Sequence, residues 1–178
     1  PIKPRFVDFE KDMTKAEMSN GLPVLYKKNT TDGLFNLSFV YDYGTENVRG
    51  LNLVADYLNY IGTDKRTSAE IKQEFYKLAC NYNISIGDNR TTISLSGLHE
   101  NMEQALALLE DIIGNAKGDK ESYDKLVGML IKAREDAKAS QRSSFNALRQ
   151  YAIYGPYNSQ RNTLSEKELR AGTPDMLT

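Results

Sequence analysis

Leu34-Phe35-Asn36-Leu37-Ser38-Phe39-Val40-Tyr41-Asp42-Tyr43 has a two-residue period, and Leu51-Asn52-Leu53-Val54-Ala55-Asp56-Tyr57-Leu58-Asn59-Tyr60-Ile61, a few residues later, has a helical one. In the first run Phe35, Leu37, Phe39, Tyr41 and Tyr43 share one face, while Asn36, Ser38, Val40 and Asp42 share the other, which is the signature of a strand covered on one side. In the second, Leu51, Val54, Ala55, Leu58 and Ile61 form one stripe, with Leu53, Tyr57 and Tyr60 forming another beside it. Only Asn52, Asp56 and Asn59 make a polar line, so this helix is expected to be packed around most of its circumference. The polar connection Gly44 to Gly50 joins the two runs, and Gly62 reads as the helix stop.

The same reading extends in both directions. Upstream, Thr14 to Met18 and Leu22 to Lys28 read as two strands joined at Asn20-Gly21, with Pro23 favouring an edge position. Residues 1–13 form an extended lead-in, and the opening Pro1-Ile2-Lys3-Pro4-Arg5 reads as a cut or processed terminus. Downstream, Thr67-Ser68-Ala69-Glu70 fits a capping box that opens a helix burying Ile71, Phe75, Leu78 and Ala79. Tyr82, Ile84 and Ile86, the turn Gly87-Asp88-Asn89, and Thr91 to Leu98 predict a second hairpin with Ile93 and Leu95 inward. Three helices follow. The first, about Asn101 to Ile113, buries Met102, Ala105, Leu106, Leu109 and Ile113. The second, about Lys120 to Ser140, buries Tyr123, Leu126, Val127 and Leu130, and its charged later part Lys132 to Lys138 is a solvated face with near-neighbour ion pairs. The third, Ser143 to Tyr154, is organised around Phe145, Leu148 and Ala152 and stopped by Gly155-Pro156. Leu164 to Thr178 offers little to bury. The element order implies an α+β fold, a two-layer sandwich of one largely antiparallel or mixed sheet covered by helices. Residues 14–178 are read as a single domain whose last strands lie beyond its C-terminal end.

Composition narrows the function classes. The chain has 178 residues with 23 basic and 24 acidic side chains and a net charge of −1, so no broad basic face for nucleic acid is expected. The apolar runs are too short and too interrupted to span a bilayer. One cysteine, Cys80, precludes an internal disulfide and leaves the compartment open. One histidine, His99, excludes any mechanism that needs two imidazoles from this chain.

Asn20-Gly21-Leu22-Pro23-Val24, the strand Leu34 to Tyr43, Gly44-Thr45, the helix after Gly50 and Gly62-Thr63 at its end resemble the insulinase/pitrilysin and mitochondrial-processing-peptidase family of zinc proteases. Active members carry H-x-x-E-H on this helix, two imidazoles binding zinc and the glutamate acting as base. Aligned on Gly62-Thr63, those positions hold Leu53, Asp56 and Tyr57. A third ligand, a glutamate on a later helix, would fall near Lys132 to Glu135, where Glu135 and Asp136 are the nearest carboxylates. The resemblance therefore implies a zinc-free domain, with no catalytic, cofactor-binding or metal-ligating residue in this chain and zinc held by a separate catalytic domain. Relatives pair a zinc-bearing half with a zinc-free half around a peptide chamber. The arginine and tyrosine that the second half contributes come from a later segment, so Arg161, Arg170, Tyr154 and Tyr157 are not given those roles.

The implied function is the non-catalytic domain of an insulinase-type metallopeptidase, which helps to form the substrate chamber and to bind extended peptides. Its partners would be the zinc-bearing half, on the same polypeptide or a paired subunit, and the peptide, with self-association through an uncovered sheet edge. The alternative is a scaffold derived from the same family without a proteolytic partner. A third reading, an enzyme using Cys80 and His99, is weaker: Cys80 reads as a small buried hydrophobe and His99 as an exposed residue at a strand-to-helix junction. Tyr41, Tyr43, Tyr57, Tyr60 and Tyr154, among 11 tyrosines, are candidates for a peptide-contacting wall or for half-buried packing.

Overall fold

The strand Leu34–Tyr41 (β3) forms with the alternation read from its sequence: Phe35, Leu37 and Phe39 are half-buried and the residues between them exposed. The computed structural model describes residue 6 and residues 8–177, and it divides into two units between Leu34 and Phe35. The expected lead-in therefore lies largely outside the described residues. In the first unit, Thr14–Glu17 (β1) and Pro23–Tyr26 (β2) pair antiparallel from Thr14↔Tyr26 to Glu17↔Pro23. Gly21, at φ 82°, sits in the connecting turn, where Asn20 Oδ1 accepts from Leu22 N–H.

The second unit has the order β3, Leu51–Leu58 (α1), Gly62–Thr63 (β4), Ser68–Lys77 (α2), Cys80–Ile86 (β5), Thr91–Leu98 (β6), Met102–Gly114 (α3), Ala116–Lys117 (β7), Lys120–Ala139 (α4), Gln141–Tyr154 (α5) and Glu166–Ala171 (α6). Its main sheet has the order β3-β6-β5, with β5 and β6 antiparallel and Tyr82 opposite Leu95. The fold class is α+β as expected, but the strands do not form one sheet. The described residues hold three separate ladders: β1-β2, β3-β6-β5 and the two-residue pair β4-β7. Gly62 is not the helix stop either, because α1 ends at Leu58 and Gly62 opens β4 opposite Lys117.

Two apolar clusters organise this unit. One lies under the main sheet, where Ile71 and Phe75 of α2, Leu95 of β6, and Ala105, Leu108, Leu109 and Ile112 of α3 meet. The other joins α1, α4 and α6 through Leu53, Tyr57, Tyr123, Leu126, Val127, Ile131 and Leu169. The capping box Thr67–Glu70 is present, its hydroxyl and carboxylate satisfying free N–H groups at the start of α2.

Several burial expectations change. On α3 the buried face is Ala105, Leu108, Leu109 and Ile112 rather than one containing Ile113, which is exposed; both sets fit a helical stripe, and the direction of packing decides between them. Ala79 is exposed, lying beyond α2 at φ 48°, and buried Cys80 is the first residue of β5. Lys132 to Lys138 is solvated except for half-buried Arg134, yet the ion pairs along α4, Lys120–Asp124 and Lys125–Glu121, lie in its first two turns. No residue of α5 is buried, Phe145 and Leu148 included. Conversely, the tail read as having little to bury contains α6 with Leu169 in the core.

Candidate functional site

The positions aligned with the metal motif lie on α1, and its orientation determines what they can do. Gly50 caps the helix at φ 75°, a left-handed conformation that glycine adopts without strain, and its N–H donates to Asn162 O at 3.0 Å. Gly44 is held as tightly: Thr45 N–H and Glu46 N–H donate to Gly87 O and Asp88 O, and a Cβ at Gly44 would collide with those same two carbonyls. These contacts fix where α1 begins. The polar line Asn52, Asp56 and Asn59 faces outward as read, and the remaining circumference packs inward.

Leu53 and Tyr57, one turn apart, are 4% and 0% exposed. Around them are Tyr123, Val127 and Ile131 of α4 and Leu169 of α6. The Tyr57 ring meets Tyr123 edge to face, at 6.0 Å between centroids and 82° between planes. Its hydroxyl donates to Asp119 O and accepts from Asp119 N–H, both at 2.8 Å, tying α1 to the cap of α4. Tyr123 in turn donates its hydroxyl to Leu169 O at 2.8 Å. Burial pushes both phenols above the ordinary tyrosine pKa.

A zinc centre needs several lone-pair donors converging on one point. Leu53 supplies hydrocarbon, the Tyr57 oxygen is engaged by both backbone groups of Asp119, and Asp56 is exposed, with desolvation raising its carboxyl pKa. Glu135 and Asp136 are exposed on α4, whereas Ile131 fills the space toward α1. This donor set does not fit a metal ion. Among the described residues, no group of three or more His, Cys, Asp or Glu side chains comes together as a metal site elsewhere.

The other candidates separate. Cys80 is buried, its thiol donating to Leu78 O at 3.3 Å, and His99 is exposed in the turn after β6. Tyr41, Tyr43, Tyr60 and Tyr154 are exposed, but Tyr57 is core and cannot belong to a surface wall with them.

Two polar networks went unread in the sequence. Buried Asp111 accepts from Thr63 Oγ1, Arg66 and Asn115, with Lys65 at 3.8 Å. Burial works to raise its carboxyl pKa, but the hydrogen bonds from Asn115 and Thr63 and the charges of Lys65 and Arg66 outweigh this and lower it. The Gly62-Thr63 pair thus ties β4 to α3. An open groove of about 540 Å³ beside this network is lined by Lys65, Arg66 and Lys77 with Glu74 and Asp111, so its charges largely cancel. The second network fastens the C-terminal segment to the start of α1. Arg49 reaches both carboxylate oxygens of Glu168, Glu46 pairs with Arg161 and Asn162, and Arg134 donates to Leu164 O. The hydroxyl and N–H of Ser165, together with Arg49, hold the Glu168 carboxyl down to about 2. The signal was available in Ser165-Glu166-Lys167-Glu168, which has the same capping pattern as Thr67 to Glu70. No helix among the described residues is long and apolar enough to cross a membrane.

Comparison with known proteins gives a consistent picture. The profile of the insulinase family (peptidase family M16) matches residues 42–166. An uncharacterized zinc protease of Rickettsia felis is 30% identical over 120 residues, 65% of this chain and 29% of that protein. The peptidase M16 inactive domain from Pseudomonas fluorescens superposes with a TM-score of 0.78 at 19% identity, over 93% of this chain and 42% of that one. The periplasmic protease PqqL from Escherichia coli gives 0.74 at 18% identity, over 96% of this chain and 19% of that one. The chain thus spans less than a third of the length of its curated relative.

Proposed function

The chain belongs to the insulinase family, peptidase family M16, and from that premise we propose that it serves as a zinc-free domain of a metallopeptidase. In this role it closes the substrate chamber beside a separate zinc-bearing half and contributes contacts to extended peptides. The observation that carries the reading is the burial of Leu53 and Tyr57 at the positions where active relatives place their imidazoles. Core packing there gives α1 the task of positioning rather than chemistry: it anchors the Gly44 to Gly50 connection, the cap of α4 and the C-terminal segment as one body. Asp56 lies on the exposed polar line with Asn52 and Asn59, and in this reading it is a solvated carboxylate rather than a general base.

The test uses the whole protein together with its H-x-x-E-H half. Peptide hydrolysis is expected to vanish when the motif glutamate of that half becomes glutamine, and to be unchanged by Asp56→Asn here. Loss of hydrolysis on Asp56→Asn, with the fold intact by circular dichroism, would overturn the proposal. An assembly that never hydrolyses peptides and contains no H-x-x-E-H chain would favour the scaffold role instead.

A further inference from the structure

We draw no further inference here: the strongest candidate, the exposed apolar face of α5 around Phe145 and Leu148, carries nothing because the chain spans only part of its relatives and nothing in the structure shows what covers that face.

Discussion

Removing one oxygen atom from Tyr57 tests how deeply α1 is built into the core. Tyr57→Phe keeps the ring and its edge-to-face contact with Tyr123, but it deletes the hydroxyl that both donates to and accepts from the Asp119 backbone at 2.8 Å. Each such bond contributes ~0.5–1.5 kcal/mol net, so losing both, with the Asp119 groups partly rehydrated, is expected to cost about 2 kcal/mol. Against the ~5–15 kcal/mol by which a domain is normally stable, that is a large fraction. For a chain of 178 residues it corresponds to a Tm lowered by roughly 4–8 °C. Urea unfolding followed by far-ultraviolet circular dichroism, with the m-value checked for constancy, measures it directly. Tyr60→Phe is the control, because Tyr60 is exposed and its change should fall within about 0.5 kcal/mol of the wild type. If Tyr57→Phe and Tyr60→Phe unfold alike, Tyr57 is not the tie between α1 and α4, and the argument from core packing fails.

Three other predictions follow from the same contacts. Leu169→Ala, at a residue 1% exposed in the α1-α4-α6 cluster, should destabilise by about 3 kcal/mol in urea unfolding; a change below about 1 kcal/mol would detach the tail from the core. Glu168, held near 2 against an ordinary value of 4.5, contributes stability that is fully present above pH 4.5 and lost as the pH falls through 2. Glu168→Gln should therefore flatten the acid limb of stability over that window, and carboxyl NMR of the wild type should place its titration well below 4.5; a normal titration would contradict the Arg49 and Ser165 contacts. Gly44→Ala drives a methyl group into Gly87 O and Asp88 O and should cost at least ~2 kcal/mol, read as a fall in Tm; an unchanged Tm would mean that the connection is not held against the β5-β6 turn.

The sequence revealed most where periodicity is unambiguous. β3 alternates as read, the polar line of α1 is exposed, and both the β5-β6 hairpin and the Thr67–Glu70 capping box are present. Periodicity marks a stripe but not the direction it faces, which is why Ile113 and the stripe of α5 were expected inside and lie outside. It has nothing to act on in a two-residue strand, so it marks neither β4 nor β7, and Gly62, following an apolar stripe, reads as a helix stop although it opens β4. The tail escaped notice for another reason: its single buried side chain, Leu169, lies on a six-residue helix too short to show a period, although Ser165 to Glu168 marks its start. At the candidate site, the sequence shows directly that positions 53 and 57 are leucine and tyrosine and carry no imidazole. That both side chains are buried, and that Tyr57 binds the Asp119 backbone, depends on contacts 62 residues apart in sequence that no local pattern encodes.

What occupies the positions facing Tyr123 and Ile131 decides whether α1 packs as core or holds a metal ion. The purified chain, dialysed against excess zinc and then against metal-free buffer, should retain no stoichiometric zinc by inductively coupled plasma mass spectrometry, and Tyr57→Phe should leave the result unchanged. One zinc per chain, released by Tyr57→Phe or Asp56→Asn, would contradict it.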